Sequence, residues 1–336
     1  MPMLRLTIAE LKLPLVHTFT IARGSEDVAT SALFRLQWGD LEGLGEATPI
    51  GRYSESVASV QAYFSEHPVR GDDPYLLEGL LADIPPAARC GLDFALHDLI
   101  GKDVGRPLWR LLGLDAQKTP LTSFTIGIAD IPATLEKVRE VGEHPILKIK
   151  LGRGNEIETL EAIRSIYRGT IRIDANEGWT AEQAVALLQE MARLDIEFCE
   201  QPIKAGHPEQ LRWIRERAPI PIVTDEDSVD ARDLYRLVGC VDGVNVKLAK
   251  CGGIRAAAGM IAMARALGFK VMLGCMVESA ISATAAAHLS PLVDWADIDG
   301  PFLVRDDPFS GVTYDRGKLV LPNTPGLGVT EKARIA

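Results

Sequence analysis

At 336 residues, with 47% hydrophobic and 24% charged residues, the chain is long enough for one large and one smaller domain and carries no collagenous, disordered or low-complexity tract. A net charge of −10 and a pI near 5.2 argue against nucleic acid or an anionic membrane as the main partner and leave metal ions and small molecules. Five scattered cysteines without a CxxC pair, an N-terminus that alternates apolar and charged residues, and no apolar run approaching the ~20 residues that cross a bilayer give the expectation of a reducing, cytoplasmic setting.

Residues 1–115 read as an α+β unit, with strand-like alternation at 4–11 and 31–38 and helical stretches at 57–65 and 87–100. From residue 121 the pattern changes. Short β-rich runs at 121–126, 146–150, 171–174, 196–200, 222–225, 243–247, 270–274 and 295–299 alternate with amphipathic stretches such as 180–194 and the Ala-rich 254–267. Eight strands in βα succession predict an α/β fold, a (β/α)8-type barrel over 116–300 with the N-terminal unit as its capping domain. The tail, 301–336, loses that rhythm and is expected to return to the capping domain, with 318–321 as a strand. Cys251 and Cys275 fall beside predicted barrel-mouth loops and read as small buried apolar side chains.

The strand ends carry the chemistry. Lys148 and Lys150 are two apart on the second barrel strand and so share a face, here the barrel interior. Burial and mutual repulsion are expected to lower a lysine pKa there, leaving one amine able to act as a base. Asp174, Glu200 and Asp225 close the next three strands, and three converging carboxylates call for a hard divalent ion such as Mg2+. Glu226 and Asp227 compete in principle with Asp225 for the third position. Lys247 closes strand six, which in a ring of eight stands across from strand two, so Lys150 and Lys247 are expected to face each other over the mouth. Lys250 reads as a loop or helix-start residue. A carboxylate held at the metal would have its α-carbon between two lysines, one to remove a proton and one to return it on the other face, giving the epimer. Asp297 and Asp299 share a face at the end of strand eight, predicted to lie away from the metal and to call for a cationic group on the ligand. No GxGxxG after a strand, Walker loop or HExxH is present, and none of the six histidines ends a predicted strand.

These residues resemble the enolase superfamily, its muconate-lactonizing subgroup, and within it the dipeptide epimerases. The likeness runs through IARGS (21–25), GEATP (45–49), RYSES (52–56), KIK (148–150), DANEGW (174–179), EQP (200–202), TDE (224–226), KLAKCGG (247–253), GCMVES (274–279) and DIDGP (297–301). The resemblance implies Mg2+ on Asp174, Glu200 and Asp225, Lys150 and Lys247 as the acid/base pair, and Lys148 as a supporting charge. It further implies that Asp297 and Asp299 hold the α-ammonium of a dipeptide, that Thr125 contacts substrate, and that Arg23, in a capping loop, meets an acidic substrate side chain. The implied substrate is L-Ala-D/L-Glu from cell-wall peptide turnover. The alternative is an o-succinylbenzoate synthase or N-acylamino acid racemase of the same subgroup. Arg52 and Tyr53 are expected to close the site, and homo-oligomerisation is left open. Where relatives read Asp-Glu-Ser, this chain has Asp225-Glu226-Asp227, an extra charge expected to bear on metal affinity or a lysine pKa.

Overall fold

The computed structural model describes residues 2–333. Of the ranges given above, residue 1 and residues 334–336 lie outside the described residues. The chain opens with an antiparallel sheet, β1 (Arg5–Ile21), β2 (Gly24–Trp38) and β3 (Leu41–Ala47). Its inner face packs on the helices Val57–Glu66 and Pro86–Asp103 around Phe34, Leu36, Phe64, Leu92 and Leu96. Gly43 and Gly45 bring β3 directly onto that second helix, because a Cβ at either would collide with the carbonyl oxygen of Ala95 or Gly91.

β1 and β2 run further than their alternation predicts. Beyond Pro14 a register shift is followed by renewed pairing at Phe19↔Glu26, Thr20↔Ser25 and Ile21↔Gly24, so a hairpin projects beyond the sheet. The irregular stretch after Pro14 hides this extension from a period-2 reading.

Eight parallel strands follow: β4 (Phe124–Ile126), β5 (Ile146–Lys150), β6 (Thr170–Asp174), β7 (Ile196–Glu200), β8 (Ile222–Thr224), β9 (Gly243–Lys247), β10 (Lys270–Gly274) and β11 (Trp295–Asp297). They are ordered in sequence from β4 to β11, and a parallel bridge between Thr122 and Ala296 closes the ring. The barrel predicted from the βα rhythm is therefore present. Strand ends differ for local reasons. Asp225 leaves the ladder because its N–H donates to Gln201 Oε1, and β11 stops at Asp297 because Ile298 N donates to Thr122 Oγ1. Helices such as Ala181–Met191, capped by Thr180, and Ile254–Ala266 bury their apolar faces on the strands in one continuous core.

The predicted strand at 318–321 forms, as Lys318–Val320, but pairs with Thr313–Asp315 and bridges Leu121 at the barrel seam instead of joining the capping sheet. Further along, Leu327 N donates to Asp98 Oδ1 in the helix Pro86–Asp103, and Glu331 pairs with Arg35 of β2. Among the described residues no helix is long and apolar enough to cross a membrane.

Candidate active site

The mouth at the C-terminal ends of the strands opens into a chamber of about 470 Å3, roofed by the β1–β2 hairpin and the 51–53 turn. Thr125, Lys148, Lys150, Asp225, Lys247, Asp297 and Asp299 line it from the barrel, and Arg23 and Tyr53 from the cap. Asp174 and Glu200 are fully buried behind it, in contact with Lys150 and Lys148.

Alternation along β5 aims Lys148 and Lys150 inward, as expected, at different depths. Lys148 is fully buried, with Nζ 2.6 Å from Glu200 Oε2, 2.6 Å from Asp297 Oδ2 and 3.3 Å from Asp174 Oδ2. Lys150 sits nearer the opening and donates to Asp174 Oδ2 at 2.7 Å. Across the ring, Lys247 Nζ donates to Asp225 Oδ2 at 3.1 Å. Lys250 falls at a helix start, as expected, but it is not peripheral to the site. It lies in the short helix Leu248–Cys251, is buried, and donates to Asp225 Oδ1 at 2.6 Å as well as to the carbonyl oxygens of Asp225 and Ser228.

Lys148 and Lys247 are charged, against the expectation of a lowered pKa. Burial does act to lower them, but Asp297, Glu200 and Asp174 around Lys148, and Asp225 and Glu200 around Lys247, outweigh it and hold both above the ordinary lysine range. Conversely, burial alone would raise Asp225, yet Lys247 and Lys250 hold it far below the usual carboxylate range. Glu200 is raised, by burial and by the neighbouring charge of Asp174, with that of Asp225 adding to it.

Among the described residues no three acidic, histidine or cysteine side chains are drawn tightly enough together to grip one ion. Lysine ammonium groups stand at the carboxylate edges instead. Lys148 touches Glu200 Oε2 as an ion contact without an aligned hydrogen bond, so that buried oxygen has no hydrogen-bond donor. Three buried acids that raise one another's pKa, with an ammonium already between two of them, form a donor set suited to a hard divalent cation. The competitors for the third position are otherwise engaged. Glu226 Oε1 accepts from Arg23 at 2.6 Å, and Asp227 accepts from Gln201 Nε2 and Gly206 N, both at 2.8 Å. Asp227 thus serves as a loop anchor and not as a member of the carboxylate trio.

At the other end, Asp297 is not set apart from the carboxylate trio. Lys148 links the two, and Asp297 also accepts from Ser123 Oγ at 2.5 Å. Although burial pushes it up, Lys148 holds Asp297 down at about 2. Asp299 is pushed up to about 6 by burial and by the charge of Asp297. Its Oδ2 accepts the backbone N–H of Thr125, whose side chain also bears on the carboxyl, and the Cys275 thiol lies 3.7 Å from its Oδ1. Arg23 differs from a free anion receptor as well: its Nη1 donates to Glu226 Oε1, to Glu177 Oε2 at 3.1 Å and to the Asn176 carbonyl at 3.2 Å. The same Glu177 takes both terminal guanidinium nitrogens of Arg52, with Nη1 2.6 Å from Oε2 and Nη2 2.7 Å from Oε1.

Two residues of the site are not singled out from the sequence: Glu177, and Asn245, whose Nδ2 donates to Glu200 Oε1 at 2.8 Å. Asn245 was findable, because it precedes Lys247 by two on β9 and must share its inward face. Glu177 was not, since it acts from a loop in a left-handed backbone conformation.

Residues 130–335 match the family model described as Enolase C-terminal domain-like, and residues 3–113 match the Mandelate racemase / muconate lactonizing enzyme N-terminal domain. The chain belongs to the enolase superfamily. Within this superfamily, the L-Ala-D/L-Glu epimerase of Bacteroides thetaiotaomicron is 36% identical over 97% of this chain and 88% of its own length. A dipeptide epimerase from Enterococcus faecalis V583, solved with Mg and the dipeptide L-Leu-L-Tyr, superposes with a TM-score of 0.92 at 32% identity, covering 98% of this chain and all of the other. The substrate-liganded L-Ala-D/L-Glu epimerase from Bacillus subtilis gives 0.93 at 27% identity, covering 99% of this chain and all of that one.

Proposed function

We propose that this enolase-superfamily chain epimerises dipeptides at the α-carbon of the C-terminal residue by two-base proton transfer, with L-Ala-D/L-Glu as the first substrate to test. The observation that carries this reading is the pair Lys150 and Lys247, which line one chamber from β5 and β9, second and sixth in a ring of eight. An α-carbon between them is met from both faces. One amine, once neutral, takes the proton and the other, charged, returns one, so the configuration inverts.

In this reading Asp174, Glu200 and Asp225 hold Mg2+. When bound, the ion supplies positive charge beside the substrate carboxylate and offsets the negative charge that grows there as the α-proton leaves. Lys148 keeps the trio and Asp297 together by balancing their charge, and Lys250 and Asn245 fix the orientations of Asp225 and Glu200. Asp299, which has no cationic partner, is the acid that takes the substrate ammonium, with Asp297 beside it. Arg23 meets an acidic side chain through the guanidinium nitrogens that do not engage Glu226 and Glu177. A cytoplasmic role in recycling cell-wall peptides agrees with this chemistry.

Incubation with L-Ala-L-Glu in D2O should place deuterium at the glutamate α-carbon and nowhere else. No exchange with it or any related dipeptide, or faster exchange with N-acylated amino acids than with free dipeptides, would refute the proposal.

A further inference from the structure

The cations of the chamber all have acidic partners: Arg23 and Arg52 with Glu177, Arg23 also with Glu226, Lys148 with Asp297 and Glu200, Lys150 with Asp174, and Lys247 with Asp225. The acids do not all have cations. Asp299 has the backbone N–H and side chain of Thr125 and a thiol, none of them cationic. Glu26, on β2 of the hairpin, lines the same chamber and forms none of the ion pairs among the described residues.

Glu26 is placed by the hairpin register. It pairs with Phe19 and shares a face with Gly24, while Asp27 on the opposite face accepts from Thr18 Oγ1. Phe19, Ala29, Val277 and Leu303 line the chamber too, and Phe19 and Val277 pack on the small cluster of Leu13, Leu15, Ala29 and Val304. The roof around Glu26 is therefore an apolar wall with a carboxylate on it. Desolvation there raises the Glu26 carboxyl above its usual range.

A dipeptide with N-terminal alanine brings one cation to this end, its ammonium, against two acids without a cationic partner. An N-terminal lysine or arginine brings two. Its methylene stem suits the apolar wall, while its head reaches a carboxylate, as long basic side chains do. From this charge count and wall we infer that Glu26 is a specificity-determining residue that binds the basic side chain of the substrate's N-terminal residue, so that dipeptides beginning with lysine or arginine are preferred over neutral ones of equal length. The inference rests on the dipeptide reading above and addresses the residue that reading leaves open.

The test compares L-Lys-L-Glu with L-norleucyl-L-Glu, which has the same stem without the charge, in wild type and in Glu26→Gln, following α-deuterium uptake in D2O. A charge-assisted contact at the chamber rim should favour the lysyl dipeptide by about tenfold in kcat/KM, chiefly through KM, and Glu26→Gln should bring that ratio close to one. Glu26→Lys should invert it. A wild-type ratio near one, or a ratio that Glu26→Gln leaves in place, overturns the assignment of Glu26 while the dipeptide reading stands. No exchange with either dipeptide or with L-Ala-L-Glu overturns both.

Discussion

Lys148 is the charge on which the buried acids of the barrel mouth depend, and replacing it with methionine tests that directly. Its ammonium lies within 2.6 Å of Glu200 and Asp297 and 3.3 Å of Asp174, all buried. Methionine conserves the volume but leaves those acids without their shared countercharge, and removing one partner of a buried ion pair costs about 3–5 kcal/mol. The Asp297 carboxyl, held at about 2 in spite of its burial and chiefly by Lys148, shows the same dependence on that ammonium. The sign follows from linkage. A carboxyl held below its unfolded value contributes stability above about pH 4 that is lost as pH falls through about 2. In Lys148→Met that contribution disappears and the stranded acids bind protons at higher pH, so the penalty should be full at pH 8 and smaller at pH 5. Urea unfolding followed by circular dichroism, in chelator, reads both. A loss under about 1 kcal/mol at pH 8, or the same loss at both pH values, would refute the reasoning. Adding Asp297→Asn to Lys148→Met should recover part of the loss, because it removes one of the stranded charges.

Lys150→Ala and Lys247→Ala should each abolish epimerisation with an unchanged circular dichroism spectrum, and near-normal turnover in either contradicts the two-base assignment. Glu177→Gln should weaken the hold of both arginines on the barrel and raise KM several-fold with a smaller change in kcat, together with faster proteolysis within 20–26 and 51–55; unchanged proteolysis would show that other contacts hold the cap. Buried His288 donates Nε2–H to the Leu327 carbonyl at 3.0 Å and is lowered to about 4 by desolvation. Below its unfolded value of 6.5 the unfolded chain binds the extra proton, so stability should fall between pH 6.5 and 4 by about 3 kcal/mol. A His288→Gln variant that loses stability as steeply over that range would show that other groups are responsible.

The barrel and its polar strand ends were legible because βα alternation and period-2 spacing are local properties of the chain. Lys148, Lys150 and Lys247 follow from counting along strands. What the residues touch was less legible, because it depends on groups far apart in sequence. Lys148 looked like a repelled neighbour of Lys150 and proves to be neutralised by acids from β6, β7 and β11. Arg23 looked free because its partners, Glu177 and Glu226, are some 150 and 200 positions away. Lys250 looked peripheral because three residues along a chain that turns from strand into helix is not a periodicity that assigns a face.

The Glu177 clasp joins two capping segments that are distant in sequence. This residue lies three positions after Asp174, on the loop leaving β6, and gathers an arginine from each of the two segments. Any displacement that lifts either segment from the barrel must part its arginine from this one carboxylate, so the two segments share a single anchoring residue next to the acids of β6.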